Sequence, residues 1–272
     1  MNTQSHPFDL AIRLVPEGED CSRGATSPAY ANMVGPFGGI TCAVLLQAVL
    51  MHPQRQGDPI ALTVNFAAPI SDGAFRIEAR PVRTNRSTQH WVVQLTQEDG
   101  VAATATATLA MRRDTWSVPE AMPPSEIPPA SALAPMPHAG APAWVRSYDL
   151  RFAEGGLPSA FDGREQPHSR SEVWVRDEPP RPLDFLSLAA ICDSFFPRIF
   201  LRRRTFTPVG TVSLTSFFHA DAQMLARQSD RHVLGAARAM NYRNGFFDQS
   251  AEIWSDDGQL LASSHQIVYF RD

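Results

Sequence analysis

Ile60-Ala-Leu-Thr-Val-Asn-Phe66 returns later in the chain as Val212-Ser-Leu-Thr-Ser-Phe-Phe218, with Leu62 matching Leu214 and Phe66 matching Phe218 at a constant offset of 152. A repeated unit fixes an architecture more firmly than local propensity does. The likeness extends outward in both directions. Gln97-Glu-Asp-Gly100, followed by an alternating run to Arg113, resembles Ser255-Asp-Asp-Gly258, followed by a run to Arg271, at an offset of 158. The drift between the two offsets implies loop insertions. Phe8-Asp9-Leu10 resembles Tyr148-Asp149-Leu150 and marks the beginning of each copy.

Each copy then reads as a short strand, a loop region, one apolar helix and four segments with strand-like alternation. In the first copy these segments are Ile60 to Ala67, Phe75 to Thr84, His90 to Gln97 and Val101 to Met111. In the second they are Thr211 to His219, Val233 to Tyr242, Phe247 to Trp254 and Leu260 to Phe270. They are rich in β-branched and aromatic residues and are separated by Gly, Asp and Asn turns. Between the copies, eight prolines from Pro119 to Pro142 forbid helix and inner strand, which makes an extended linker. The chain therefore divides into an N-terminal half, 1–116, a linker, 117–143, and a C-terminal half, 144–272.

The helix of the first copy, Gly39-Ile-Thr-Cys-Ala-Val-Leu-Leu-Gln-Ala-Val-Leu-Met51, is apolar almost all round and must be surrounded by protein. A curved antiparallel sheet cradling one buried helix is the hotdog architecture. Two tandem copies predict an α+β double hotdog, with side chains such as Phe66, Trp91, Phe217 and Phe247 facing the helices.

With 272 residues, 43% hydrophobic and 19% charged, the chain can bury a large core. A net charge of -4 argues against nucleic acid as a partner, because phosphate binding needs an excess of basic residues. Cys21, Cys42 and Cys192 are far apart and odd in number, which suits neither a disulfide framework nor a zinc site and fits a reducing cytoplasm. The leading residues have no basic-then-apolar pattern of a signal peptide. The apolar runs at 40–51 and 183–200 are shorter or more interrupted than the roughly 20 residues of a membrane span.

The chain resembles the acyl-CoA thioesterase II-like family over nearly all its length. In the first half the likeness rests on Gly35-Pro-Phe-Gly-Gly39 opening the helix and on Leu62-Thr-Val-Asn-Phe-Ala-Ala-Pro69 in the next strand. In the second half it rests on Trp174-Val-Arg176, Ile191-Cys-Asp193, the run from Thr211 to His219, and Gly258-Gln-Leu-Leu-Ala-Ser-Ser-His-Gln266. The resemblance implies an acyl-CoA substrate, no cofactor or metal, a place in lipid metabolism, and a homodimer or homotetramer. It also implies a catalytic set of Asp193 on the second-half helix, Thr211 on the following strand and Gln266 on the last strand. Ser213 and Thr215 are read as sharing the strand face of Thr211, which leaves three hydroxyls open for that role.

These residue types suit thioester hydrolysis, which needs a water nucleophile, a base to deprotonate it and donors for the developing oxyanion. Asp193, in an apolar helix, would be desolvated and so made more basic. Its ordinary role would be to cap the helix or pair with Arg198 or Arg202. Gln266 can both accept and donate beside a water, or be an unremarkable strand residue. The repeat matches it to Thr108. Gly38 and Gly39 would present free N–H groups at a helix start to the substrate, or serve a turn that needs positive φ. Arg202, Arg203 and Arg204 would meet coenzyme A phosphates, or form a solvated face.

There is no Gly-x-Ser-x-Gly, His-Glu-x-x-His or phosphate-binding glycine loop. Cys192 reads as core packing rather than a nucleophile. The competing functions are an enoyl-CoA hydratase of the same fold and an acyl-CoA binding protein without turnover.

Overall fold

The computed structural model describes residues 5–98 and 100–271. Met1 to Gln4, Asp99 and Asp272 lie outside the described residues, so the leading stretch and the Gln97–Gly100 turn are described without them.

The first half contains α1 (Pro7–Ala11), β1 (Val15–Pro16), β2 (Cys21–Ala25), α2 (Gly38–Leu50), β3 (Asp58–Phe66), β4 (Ala74–Thr84), β5 (Thr88–Gln97) and β6 (Gly100–Ala110). The second contains β7 (Tyr148–Glu154), β8 (Ser171–Asp177), α3 (Phe185–Ile191), α4 (Arg198–Arg203), β9 (Val209–Phe218), α5 (Ala222–Gln228), β10 (Val233–Arg238), β11 (Tyr242–Arg243), β12 (Phe246–Trp254) and β13 (Leu260–Phe270). The strands form one antiparallel sheet in the order β1-β2-β4-β5-β6-β3-β9-β13-β12-β10-β8-β7, with β11 beside β12. That order is a palindrome of the two copies about the β3–β9 seam. At the seam Ala61 to Asn65 pair with Phe217 to Ser213, and Thr63 stands opposite Thr215, its own repeat equivalent.

The two halves bury their helices against each other. Every residue of α3 is buried, and in α2 every residue from Gly39 to Leu46 is, as the all-round apolar sequence requires. The core is continuous across the seam, so the fold is a double hotdog of the α+β class.

Two expectations are corrected. Phe8-Asp9-Leu10 is helical, because Pro7 starts a turn whose Phe8 N–H is capped by the His6 ring; the strand in the position of β7 is instead β1. The strand from Val233 ends at Arg238 rather than Tyr242. There the Asp248 carboxylate accepts from the Met240 and Asn241 N–H groups and draws the backbone out of the ladder.

The proline-rich segment crosses the second half in extended form. It is tied down by Met136 N–H to the Leu150 carbonyl (2.7 Å), by Trp174 Nε1 to the Pro128 carbonyl (2.8 Å) and by Arg151 to the Ala130 and Leu133 carbonyls. Among the described residues no helix is long and apolar enough to cross a membrane.

Candidate active site

The helix of the second half is short. Asp184 caps its start, accepting from Leu186 and Ser187 N–H, and it ends at Ile191 with Cys192 as the cap. Asp193 follows immediately, just beyond the helix rather than within it. Its carboxyl group is turned toward the start of α2.

The reason the two approach so closely is the pair Gly38-Gly39. A methyl group on Gly38 would stand 2.5 Å from Asp193 Oδ2, and one on Gly39 would stand 2.4 Å from the Ala190 carbonyl oxygen. Both glycines belong to α2 and neither has positive φ; the left-handed residue of this stretch is Gly35. Space, not backbone conformation, demands glycine here. Phe37 caps α2 and is clamped by Trp144, ring on ring at 4.3 Å, with Tyr148 edge-on to both.

Gln266 is buried on the inward face of β13 and uses its amide in two directions. Its Nε2 donates to Asp193 Oδ1 (3.2 Å), and its Oε1 accepts from Thr211 Oγ1 (3.0 Å). A carboxylate can only accept, which fixes the amide orientation and makes the threonine hydroxyl the donor. The three expected residues thus form one line, Thr211 to Gln266 to Asp193.

Thr211 reaches that line through a β-bulge. The pairing of β9 with β13 runs regularly until Ser213 opposite Ile267 and then skips, placing Thr211 opposite Val268. The extra residue, Val212, shifts Thr211 onto the inward face with Leu214 and Ser216. Ser213 and Thr215 therefore do not share its face, contrary to expectation: Thr215 bonds Thr63 on the outer surface, and Ser213 pairs there with Asn65. By the same alternation Phe217 is 47% exposed and faces outward, whereas Phe66 borders Gly38.

The repeat equivalent of Gln266 also changes. Leu214 stands opposite Gln266, and its counterpart Leu62 stands opposite Ala107, not Thr108. A slip of one residue moves a side chain to the other face, and Thr108 lies near His90 instead.

Burial pushes the Asp193 carboxyl up to about 7, against the lowering effect of the Gln266 amide and the Gly39 backbone N–H. Asp193 and Thr211 are each partly exposed as whole residues. Burial holds the Cys192 thiol up at about 12, so it is not a thiolate at neutral pH.

A scan of family models matches residues 27–110 to an acyl-CoA thioesterase N-terminal domain and residues 119–270 to an acyl-CoA thioesterase C-terminal domain. The chain belongs to the acyl-CoA thioesterase family. Among solved structures it is similar to a conserved hot dog fold protein of unknown function from Alicyclobacillus acidocaldarius, with 43% identity, TM-score 0.93 and 99% of each chain covered. It is similar in fold to the acyl-CoA thioesterase II TesB2 of Mycobacterium marinum, with 17% identity, TM-score 0.75, and 97% and 98% of the two chains covered. The tesB protein of Mycobacterium avium subs paratuberculosis compares at 18% identity and TM-score 0.79, with 97% and 98% covered. Among curated proteins, none matches by sequence.

In this acyl-CoA thioesterase family member, two further residues support the line, and neither was singled out from sequence for that role. Gln249 lies beside Gln266 on β12, and Arg198, fully buried, donates to Gln249 Oε1 and to the carbonyls of Ser169 and Phe196. Arg198 is thus not a partner of Asp193, and Arg202 pairs with Glu165. A single arginine inside the apolar run 183–200 was the available signal for Arg198. Among the described residues no cluster of His, Cys, Asp or Glu has metal-binding geometry.

Proposed function

We propose that the protein hydrolyses acyl-CoA thioesters to the free acid and coenzyme A through an activated water, without a covalent intermediate. The observation that carries this reading is the Thr211–Gln266–Asp193 line closing against the glycine start of α2. A water between Asp193 and Thr211 gives its proton to the carboxylate as its oxygen attacks the thioester carbon. The start of α2, whose Gly39 N–H already meets the Asp193 carboxyl, would offer its remaining N–H groups to the oxyanion that forms. When the carbon–sulfur bond breaks, the protonated Asp193 returns the proton to the leaving thiolate, and the acid is released. A carboxyl that ionises near neutrality suits both halves of this exchange.

The division into halves 1–116 and 144–272, joined by 117–143, gives each half one part of the site: the glycines from the first, the acid, hydroxyl and amide from the second. An enoyl-CoA hydratase is disfavoured because, among the described residues, no histidine hydrogen-bonds Asp193, Gln266 or Thr211.

The test is thiol release from acyl-CoAs of increasing chain length by the wild type and Asp193→Asn. Hydrolysis by the wild type with a loss of about 100-fold or more in the variant supports the mechanism, that being the usual contribution of a general base. Tight acyl-CoA binding with no hydrolysis would replace it with the binding-protein reading.

A further inference from the structure

The arginine run that ends α4 lies among aromatic rings. Phe161 and Phe206 are 44% and 53% exposed, set edge to face at 5.7 Å, and both rest on the buried Phe200, with Phe206 stacked on it at 5.2 Å. Half-exposed phenyl rings held in fixed orientation by a buried third ring offer flat apolar faces to solvent.

Around these rings the charge is basic. Arg204 and Arg164 share Asp162 at 3.6 and 3.7 Å, and Arg202 meets Glu165 at 3.4 Å. Three arginines stand against two carboxylates, on a chain whose net charge is -4. Contacts of this length at solvent-accessible positions contribute little. A phosphate, with more charge and a geometry that fits the guanidinium fork, displaces such partners readily. The loop that carries Phe161 is docked by Gly163 N–H to the Arg204 carbonyl (3.0 Å) and Gln166 N–H to the Arg202 carbonyl (2.8 Å). Rings and cations are therefore held as one surface.

That surface is near the chemistry. Phe206 precedes Thr211 by five residues, which even fully extended chain spans in no more than about 18 Å. An extended pantetheine arm bridges a gap of this order between a thioester and a nucleotide.

We propose that Phe161 and Phe206, with Arg164, Arg202 and Arg204, form the subsite for the phosphorylated adenine nucleotide of coenzyme A, the base stacking on the phenyl faces and the phosphates meeting the guanidinium groups. The assignment rests on the acyl-CoA reading above. Base stacking on an aromatic side chain is strong enough to be read in KM.

The experiment compares the wild type with Phe206→Ala, at an exposed position, and Arg204→Gln, at a partly exposed one, both outside the catalytic line. It uses the same acyl group on coenzyme A and on pantetheine, together with calorimetric binding of free coenzyme A. The expected result is a rise of about 10-fold in KM for acyl-CoA at unchanged kcat, unchanged kcat/KM for acyl-pantetheine, and about 10-fold weaker binding of coenzyme A. Equal losses on both substrates, or coenzyme A binding that is absent from the wild type or unchanged in the variants, would overturn the subsite. If the wild type cleaves neither thioester, the hydrolase reading fails, and the calorimetric comparison alone decides the subsite by the same criterion.

Discussion

Thr63 and Thr215 face each other across the β3–β9 seam with their hydroxyl oxygens 2.9 Å apart, and each is the other's equivalent in the repeat. The pseudo-twofold relation of the two halves therefore passes through this pair. Cross-strand threonine contacts are worth about 0.2–1 kcal/mol, and like charges directly opposed are destabilising. Thr63→Glu and Thr215→Glu should each be mildly destabilising. Combined, they should cost more than the sum by at least about 0.5 kcal/mol in a double-mutant cycle of urea unfolding. Additive effects would mean that the seam does not close at this contact.

On the proposed mechanism, Asp193 would link activity to stability in opposite senses. With its carboxyl near 7, kcat/KM should rise with pH through about 7 as the base form appears. The folded state holds this proton more tightly than the unfolded chain, whose carboxyl ionises near 3.9. The stability Asp193 contributes is therefore present below about pH 4 and lost as pH rises through 7. Asp193→Asn should unfold at a higher temperature than the wild type at pH 8, by an amount equivalent to about 4 kcal/mol, and at nearly the same temperature at pH 4. Thermal melts at the two pH values check this, and a variant less stable at pH 8 would contradict the burial argument.

The two glycines should fail differently. Gly38→Ala drives a methyl group into the Asp193 carboxylate and should lower kcat by about 10- to 100-fold with little change in melting temperature. Gly39→Ala presses on the Ala190 carbonyl and the Phe37 ring, which cannot yield cheaply, and should destabilise by about 1–3 kcal/mol. Parallel activity and unfolding measurements separate the two, and the reverse pattern would disprove the geometry described.

Of Thr211, Ser213 and Thr215 on β9, only Thr211 should matter to turnover. Thr211→Ser should retain most activity and Thr211→Val should lose about 10-fold or more, since Gln266 Oε1 loses its donor. Ser213→Ala and Thr215→Val should leave kcat within about 2-fold. A large effect from either would mean that the bulge does not persist in solution.

Arg198 should be a structural requirement. Its removal by Arg198→Ala strips partners from Gln249, Ser169, Ser171 and Phe196 in a fully buried site and should destabilise by about 3 kcal/mol or more. Chemical denaturation measures this directly, and a loss below about 1 kcal/mol would show that water enters and replaces those bonds.

Alternation and repetition carried most of the fold in readable form. The strands from β3 to β6 and from β9 to β13 fall within a few residues of the bounds expected, because burial on one face imprints a period of two. Asp193, Thr211 and Gln266 were named from resemblance, and the structure brings them together. What sequence could not show is the bulge at Val212, since one extra residue inverts the alternation without leaving a compositional trace. The same blindness assigned Thr108 instead of Ala107 as the counterpart of Gln266. Phe8 to Leu10 was misread because three similar residues can be helical or extended according to the proline before them.

On the proposed division, a linker over 117–143 would change the physics of a site assembled from two halves. Glycines on one half and an acid on the other would, as separate chains, meet at a rate set by their concentration and part on dilution. Joined, they encounter each other at an effective concentration on the order of millimolar for a short linker, however scarce the molecule is. Turnover per molecule should then be the same at nanomolar as at micromolar protein, and each half is free to vary alone, since a substitution enters the molecule once rather than twice.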